Sequence, residues 1–139
     1  MRRTLYGLGA AAIAAALCGN GMHKVNAAAD DEATRPQFYT TKVKPIFEAN
    51  CYRCHGGMNR RGGLSLGTRA GLMKGGRDGV VVVPGNPSAS LMVKLIRHEG
   101  PAKDPKPMPP KGKLSDADIA TVERWIRAGA VMPADVVPQ

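Results

Sequence analysis

The chain has 139 residues and a formal net charge of +9, and it contains only two Phe, three Tyr and one Trp. It is long enough for one small domain and too short for an additional enzymatic domain. The 43% content of hydrophobic residues excludes a disordered polypeptide, but so few large side chains predict a thin core that needs a disulfide, a metal or a cofactor.

Residues 1–29 have the pattern of an export signal. Arg2 and Arg3 precede an apolar run over residues 5–17, and three alanines end the segment. The thirteen residues of the run fall short of the roughly 18 that a membrane-spanning helix needs. We therefore predict a cleaved signal peptide, a periplasmic or otherwise exported protein and no transmembrane segment in the mature chain. The alternative is an uncleaved leader that tethers the protein to a membrane.

The remaining chain divides into a flexible N-terminus over residues 30–36, one domain over 37–131 and a tail over 132–139. Removing the leader leaves 17 basic and 11 acidic residues, which is a charge of +6. An exported protein meets little nucleic acid, so this balance predicts an acidic protein partner or an anionic membrane surface.

The domain is predicted to be all-α, with long loops rich in Gly and Pro. A helix over 36–50 has an apolar face and should be kinked or split by Pro45. A short helix is expected to begin near Thr68, and residues 80–83 should be an extended segment over the core. Asn86 and the proline after it predict the start of the next helix, and Ser115 caps the last one.

The strongest chemical signal is the five-residue motif Cys51-Tyr52-Arg53-Cys54-His55. It matches the attachment motif of a c-type haem. Two thiols on one helical turn can each add to a vinyl group of the same porphyrin, and the next imidazole then meets the iron. A Cys51 to Cys54 disulfide or half of a zinc site are the alternatives, but neither needs a histidine at position 55.

Met108 is the predicted distal ligand of the haem iron. It lies 53 residues after His55, between prolines that stiffen its loop and can hold a thioether against a metal. His98 is the rival, although at the end of a helix an imidazole can simply complement the carbonyl groups. Met73 and Met92 are predicted to be core residues, and Met58 lies too close to His55. Met132 follows the last helix and Met22 belongs to the leader, so neither is a candidate.

From about Phe38 to Ala130 the chain resembles the planctomycete-type cytochrome c domain, a branch of the single-haem class I cytochromes c. The matching segments are 43–46, the motif with Gly56, 62–66, 83–87 with 90–91, 108–112, 114–115 and 125–130. The resemblance implies a small helical domain wrapped around one covalent haem c. It also implies His55 as the proximal ligand and Met108 as the distal ligand of the iron.

Two classes of function are compatible with an iron that is bound by both His55 and Met108. The favoured one is an exported cytochrome that carries single electrons between redox protein partners and is not an enzyme. The alternative is a haem-based sensor or small-ligand binder from which Met108 dissociates, with peroxidase-like activity as its stronger version. No further His, Arg or acidic constellation near Met108 favours catalysis. The sequence does not indicate an oligomeric state.

Overall fold

The computed structural model describes residues 31–100 and 105–134. The predicted signal peptide lies outside these residues. Helices and no strands form the described part, which confirms the predicted all-α class. The helices are α1 (Pro36–Phe38), α2 (Lys44–Asn50), α3 (Tyr52–His55), α4 (Arg69–Lys74), α5 (Leu91–Ile96) and α6 (Asp116–Arg127), with a π-helical segment at Tyr39–Val43 and a 3-10 turn at Arg61–Gly63.

The first helical run continues through Pro45 with a changed hydrogen-bond pattern. Pro45 has no N–H group to donate to the carbonyl four residues earlier, and its ring crowds that carbonyl. The preceding Tyr39–Val43 segment is π-helical, with wider turns. The predicted kink or break is therefore realised as a π-helical segment between α1 and α2, and Tyr39 and Val43 both remain buried.

The core forms where this run packs against α6. Trp125 is fully buried, and its ring centroid lies 5.5 Å from that of Tyr39 and 5.8 Å from that of Phe47. The indole N–H donates to the carbonyl of Val131 at 2.8 Å, so the polar atom of this large ring is satisfied. Ser115 caps α6 as predicted, since its side chain accepts from the amide of Asp118.

The predicted start of α5 was wrong by several residues. Asn86 caps a turn instead, where its side chain accepts from the amide of Ala89 at 3.1 Å. Helix α5 begins at Leu91 because Ser90 is extended and fully buried. The hydroxyl of Ser90 accepts from the amide of Val83 at 2.9 Å, which ties residues 81–83 to the start of α5. Residues 80–83 form no strand, as predicted.

The residues just before α1 also contact the core. Ala33 is fully buried, and Glu32 forms a 2.9 Å ion pair with Arg124 of α6. Met132, in the segment that follows α6, is buried as well. No helix in residues 31–100 and 105–134 has the length and apolar character needed to cross a membrane.

Candidate haem site

One cleft of about 310 Å³ gathers the residues that the sequence singled out. Its wall includes the attachment motif, the turn at Arg61–Gly63, the apolar side of α5 and the proline-rich loop around Met108. Apolar contributions come from Leu64, Val81, Leu91, Leu95, Ile96, Pro105, Pro109 and Pro110. A largely apolar cleft of this kind suits a flat, hydrophobic ligand with a few polar groups.

The two cysteines lie at the start and the centre of one short helical turn. The carbonyl of Cys51 accepts from the amides of Cys54 at 3.0 Å and His55 at 2.9 Å, which closes the turn. Both thiols are free and half-buried, and both residues line the cleft. Burial, helped by the neighbouring Cys54, raises the pKa of Cys51 to about 11, so this thiol is protonated at neutral pH.

His55 follows on the same turn and also lines the cleft. Its Nδ1 atom is buried and has no hydrogen-bond partner among the described residues. Burial lowers the pKa of His55, an effect that the nearby backbone of Arg61 and Leu64 partly opposes. The imidazole is therefore neutral at pH 7, which is the form that binds metals.

The backbone of His55 is held by the loop that follows the motif. The amide of Leu66 donates to the carbonyl of His55 at 2.7 Å. The hydroxyl of Tyr52 reaches the carbonyl of Leu66 at 3.4 Å and the hydroxyl of Tyr39 at 2.9 Å. Burial and the hydrogen bond with Tyr52 raise the pKa of Tyr39, so the phenol of Tyr39 stays neutral. These bonds fix α3 against both the core and the loop at residue 66.

Met108 reaches the same cleft from the proline-rich loop. Its amide donates to the carbonyl of Leu95 at 3.1 Å, which fastens the loop to the end of α5. The loop closes on itself through the amide of Gly112, which donates to the carbonyl of Pro109 at 3.2 Å. The structure thus brings Met108 into one cleft with His55, although 53 residues separate them in sequence.

The rival ligands lie elsewhere. His98 is exposed beyond the end of α5, has a φ of 58° and does not line the cleft. Met92 and Met132 are buried in the core, Met73 packs against it and Met58 is completely exposed. In the described part of the chain, no three His, Cys, Asp or Glu side chains are grouped as a metal cluster.

Charged side chains at the cleft were not predicted from the sequence. Arg61, Arg77, Asp78 and Lys106 all contribute to its wall. The signal that could have indicated Arg61 and Arg77 is the stretch from Arg53 to Arg77, which has six basic residues and no acidic one.

The residues fit a covalently held haem. Two thiols, a neutral imidazole with a buried and unpartnered Nδ1 atom, and a thioether line one mainly apolar cleft. Thiol, imidazole and thioether are the donors that hold haem in c-type cytochromes.

Comparison with known proteins supports the same family. The family model of planctomycete cytochrome c matches residues 51–112, from the attachment motif through the loop of Met108. No curated protein and no solved structure matches the chain.

Proposed function

Because residues 51–112 match the planctomycete cytochrome c family, which confirms the resemblance seen in the motifs, we propose that this chain is an exported electron carrier with one covalent haem c. The observation that carries the proposal is the cleft that Cys51, Cys54, His55 and Met108 share. Met108 is 53 residues from His55 in sequence, and a shared haem explains why the two side chains line the same apolar cleft.

Each of these residues has a distinct task in the proposal. Cys51 and Cys54 hold the cofactor through thioether bonds from one turn. His55 offers a neutral imidazole, and Met108 offers a thioether from a different element of the wall. When bound, haem supplies an iron that alternates between the ferrous and ferric states. A His and Met ligand pair gives a higher reduction potential than two imidazoles would.

The apolar wall of the cleft supports electron transfer in preference to catalysis. Leu91, Leu95 and Ile96 exclude water from the side of the cleft formed by α5. If His55 and Met108 both bound the iron, the chain would leave no position there for a substrate. The proposal therefore requires a redox protein partner, with export of the chain by the leader over residues 1–29.

The attachment is tested on protein matured with haem-ligation machinery. We expect the colour to stay with the polypeptide after acid-acetone extraction, since thioether bonds survive it. Cys51→Ala or Cys54→Ala should leave a single thioether or an unstable product. Complete extraction of the colour from the native protein would contradict the attachment.

The ligand Met108 is tested by the optical spectrum of Met108→Ala. We expect the sulfur-to-iron charge-transfer band of the ferric protein to disappear and the ferrous variant to bind carbon monoxide. Met58→Ala is the matched control, because Met58 is fully exposed and lies just after the motif. Met108→His should keep a six-coordinate iron and lower the reduction potential. Fast carbon monoxide binding by the native protein would instead favour the sensor.

A further inference from the structure

The cleft carries positive charge that the proposed ligand set does not use. Its charged lining residues in the described part of the chain are Arg61, Arg77, Lys106 and Asp78. Asp78 forms an ion pair with Arg77, with 3.4 Å between the carboxylate and the guanidinium. Arg61 and Lys106 therefore line the cleft without an ion-pair partner among the described residues. This excess of charge suits an anionic group on the ligand.

Arg61 is the better placed of these two cations. It begins the 3-10 turn, and the turn is held by the amide of Arg77, which donates to the carbonyl of Gly62 at 2.6 Å. A second hydrogen bond closes the turn from the amide of Gly63 to the carbonyl of Arg60 at 2.8 Å. Arg61 is exposed, and it forms no ion pair with another described residue. Its backbone is thus fixed at the rim while its guanidinium remains available.

The chemistry of the side chain also favours Arg61. A guanidinium presents two parallel N–H groups that match the two oxygens of a carboxylate, whereas the ammonium of Lys106 is a compact charge on a flexible stem. Haem carries two propionate carboxylates as its only anionic substituents. Resting on the function proposed above, we infer that Arg61 binds a haem propionate and thereby raises the reduction potential of the iron.

The effect on the potential has a simple electrostatic cause. An uncompensated propionate stabilises the more positive ferric iron, which lowers the potential. A guanidinium paired with that propionate offsets its charge, because charges at a protein surface interact more strongly than they do in bulk water. Removing Arg61 therefore restores the negative charge beside the iron and shifts the equilibrium toward the ferric state.

The experiment compares the full-length, haem-loaded protein with Arg61→Gln and with Arg60→Gln. Arg60 is the matched control, because it is the adjacent exposed arginine and does not line the cleft. Resonance Raman spectra report the propionate bending mode, and spectroelectrochemistry at low salt reports the potential. We expect Arg61→Gln to shift the bending mode and to lower the ferrous-to-ferric ratio about fivefold at a fixed potential. Arg60→Gln should change neither by a comparable amount.

Arg61→Lys separates charge from geometry. It should recover much of the ferrous-to-ferric ratio but not the position of the bending mode, since the paired N–H geometry is lost. An unchanged bending mode in Arg61→Gln, in protein with an intact haem spectrum, would overturn the inference while leaving the proposed function standing. A shift in Lys106→Gln alone would overturn it too. A native protein without covalent haem would overturn both.

Discussion

At the residue scale, the wall of the cleft depends on a glycine whose backbone no other residue tolerates. Gly75 ends α4 with a φ of 75°, and a Cβ atom there would collide with the carbonyl oxygen of Gly79. The amide of Gly76 donates to that same carbonyl at 3.0 Å, so the oxygen cannot easily move. The turn that carries Arg77 and Asp78 is built on this close approach.

We predict that Gly75→Ala destabilises the protein by about 3 kcal/mol or more, because steric overlap adds to the strain of a positive φ. Gly79→Ala is the control, since its φ is 91° and a Cβ atom there would meet nothing within 4 Å. That variant should lose only about 1 kcal/mol. Urea unfolding of the haem-loaded proteins, followed by far-ultraviolet circular dichroism, measures both. Equal losses would show that the overlap relaxes.

Site residues were predictable where local sequence carries the chemistry. Cys51, Cys54 and His55 form a contiguous motif, and the prolines around Met108 mark an unusual loop. The cleft contains all four, although their roles as ligands remain predictions. Arg61 was not predicted, because its position at the rim depends on the backbone bond between Gly62 and Arg77, which sequence spacing does not indicate.

At the scale of elements, Ser90 holds two parts of the cleft wall together. Besides accepting from the amide of Val83, its hydroxyl lies 2.9 Å from the carbonyl of Asn86, to which it donates. Ser90 thus joins the segment that contains Val81 to the helix that contains Leu95. The sequence misplaced the start of this helix at Asn86, because a capping residue followed by proline is equally suited to a turn. The buried bonds of Ser90 decide between the two.

We predict that Ser90→Ala lowers the free energy of unfolding by about 1–3 kcal/mol, because it leaves the partly buried amide of Val83 without its partner and removes the other bonds of a fully buried hydroxyl. Ser88→Ala is the control, since Ser88 is exposed and bonds only to the side chain of Asn86. It should change the free energy by about 0.5 kcal/mol or less. Thermal unfolding of the two variants tests this. A Ser90→Ala protein as stable as Ser88→Ala would show that water or another group replaces the hydroxyl.

At the scale of the whole molecule, the helical class was predictable because the apolar faces of α2, α5 and α6 repeat with helical spacing. The packing of these helices was not predictable from the sequence. Composition predicted a thin core dependent on a staple, whereas Trp125, Tyr39 and Phe47 form one aromatic cluster that belongs to the polypeptide itself. These three rings meet at one place, which composition does not report.

The charge of the molecule leads to a prediction about its partner. The six basic residues from Arg53 to Arg77 are all exposed, and this stretch includes the end of the attachment motif and part of the cleft wall. Attraction to an acidic redox protein would guide docking at this face and weaken with salt. We expect electron exchange with an acidic partner to slow as ionic strength rises, measured by stopped-flow absorbance. A rate that does not change with salt would contradict an electrostatic docking face.

The hydrogen bond between the amide of Met108 and the carbonyl of Leu95 has a consequence for the speed of electron transfer. It fastens the ligand's own residue to a helix that packs in the core. If Met108 is the ligand that we propose, its sulfur is positioned by the polypeptide in both oxidation states. The nuclei around the iron then need little displacement when an electron arrives or leaves. A small reorganisation energy allows rapid electron exchange at modest driving force. In the proposed carrier, the main-chain hydrogen bond of Met108 would help to keep that energy small.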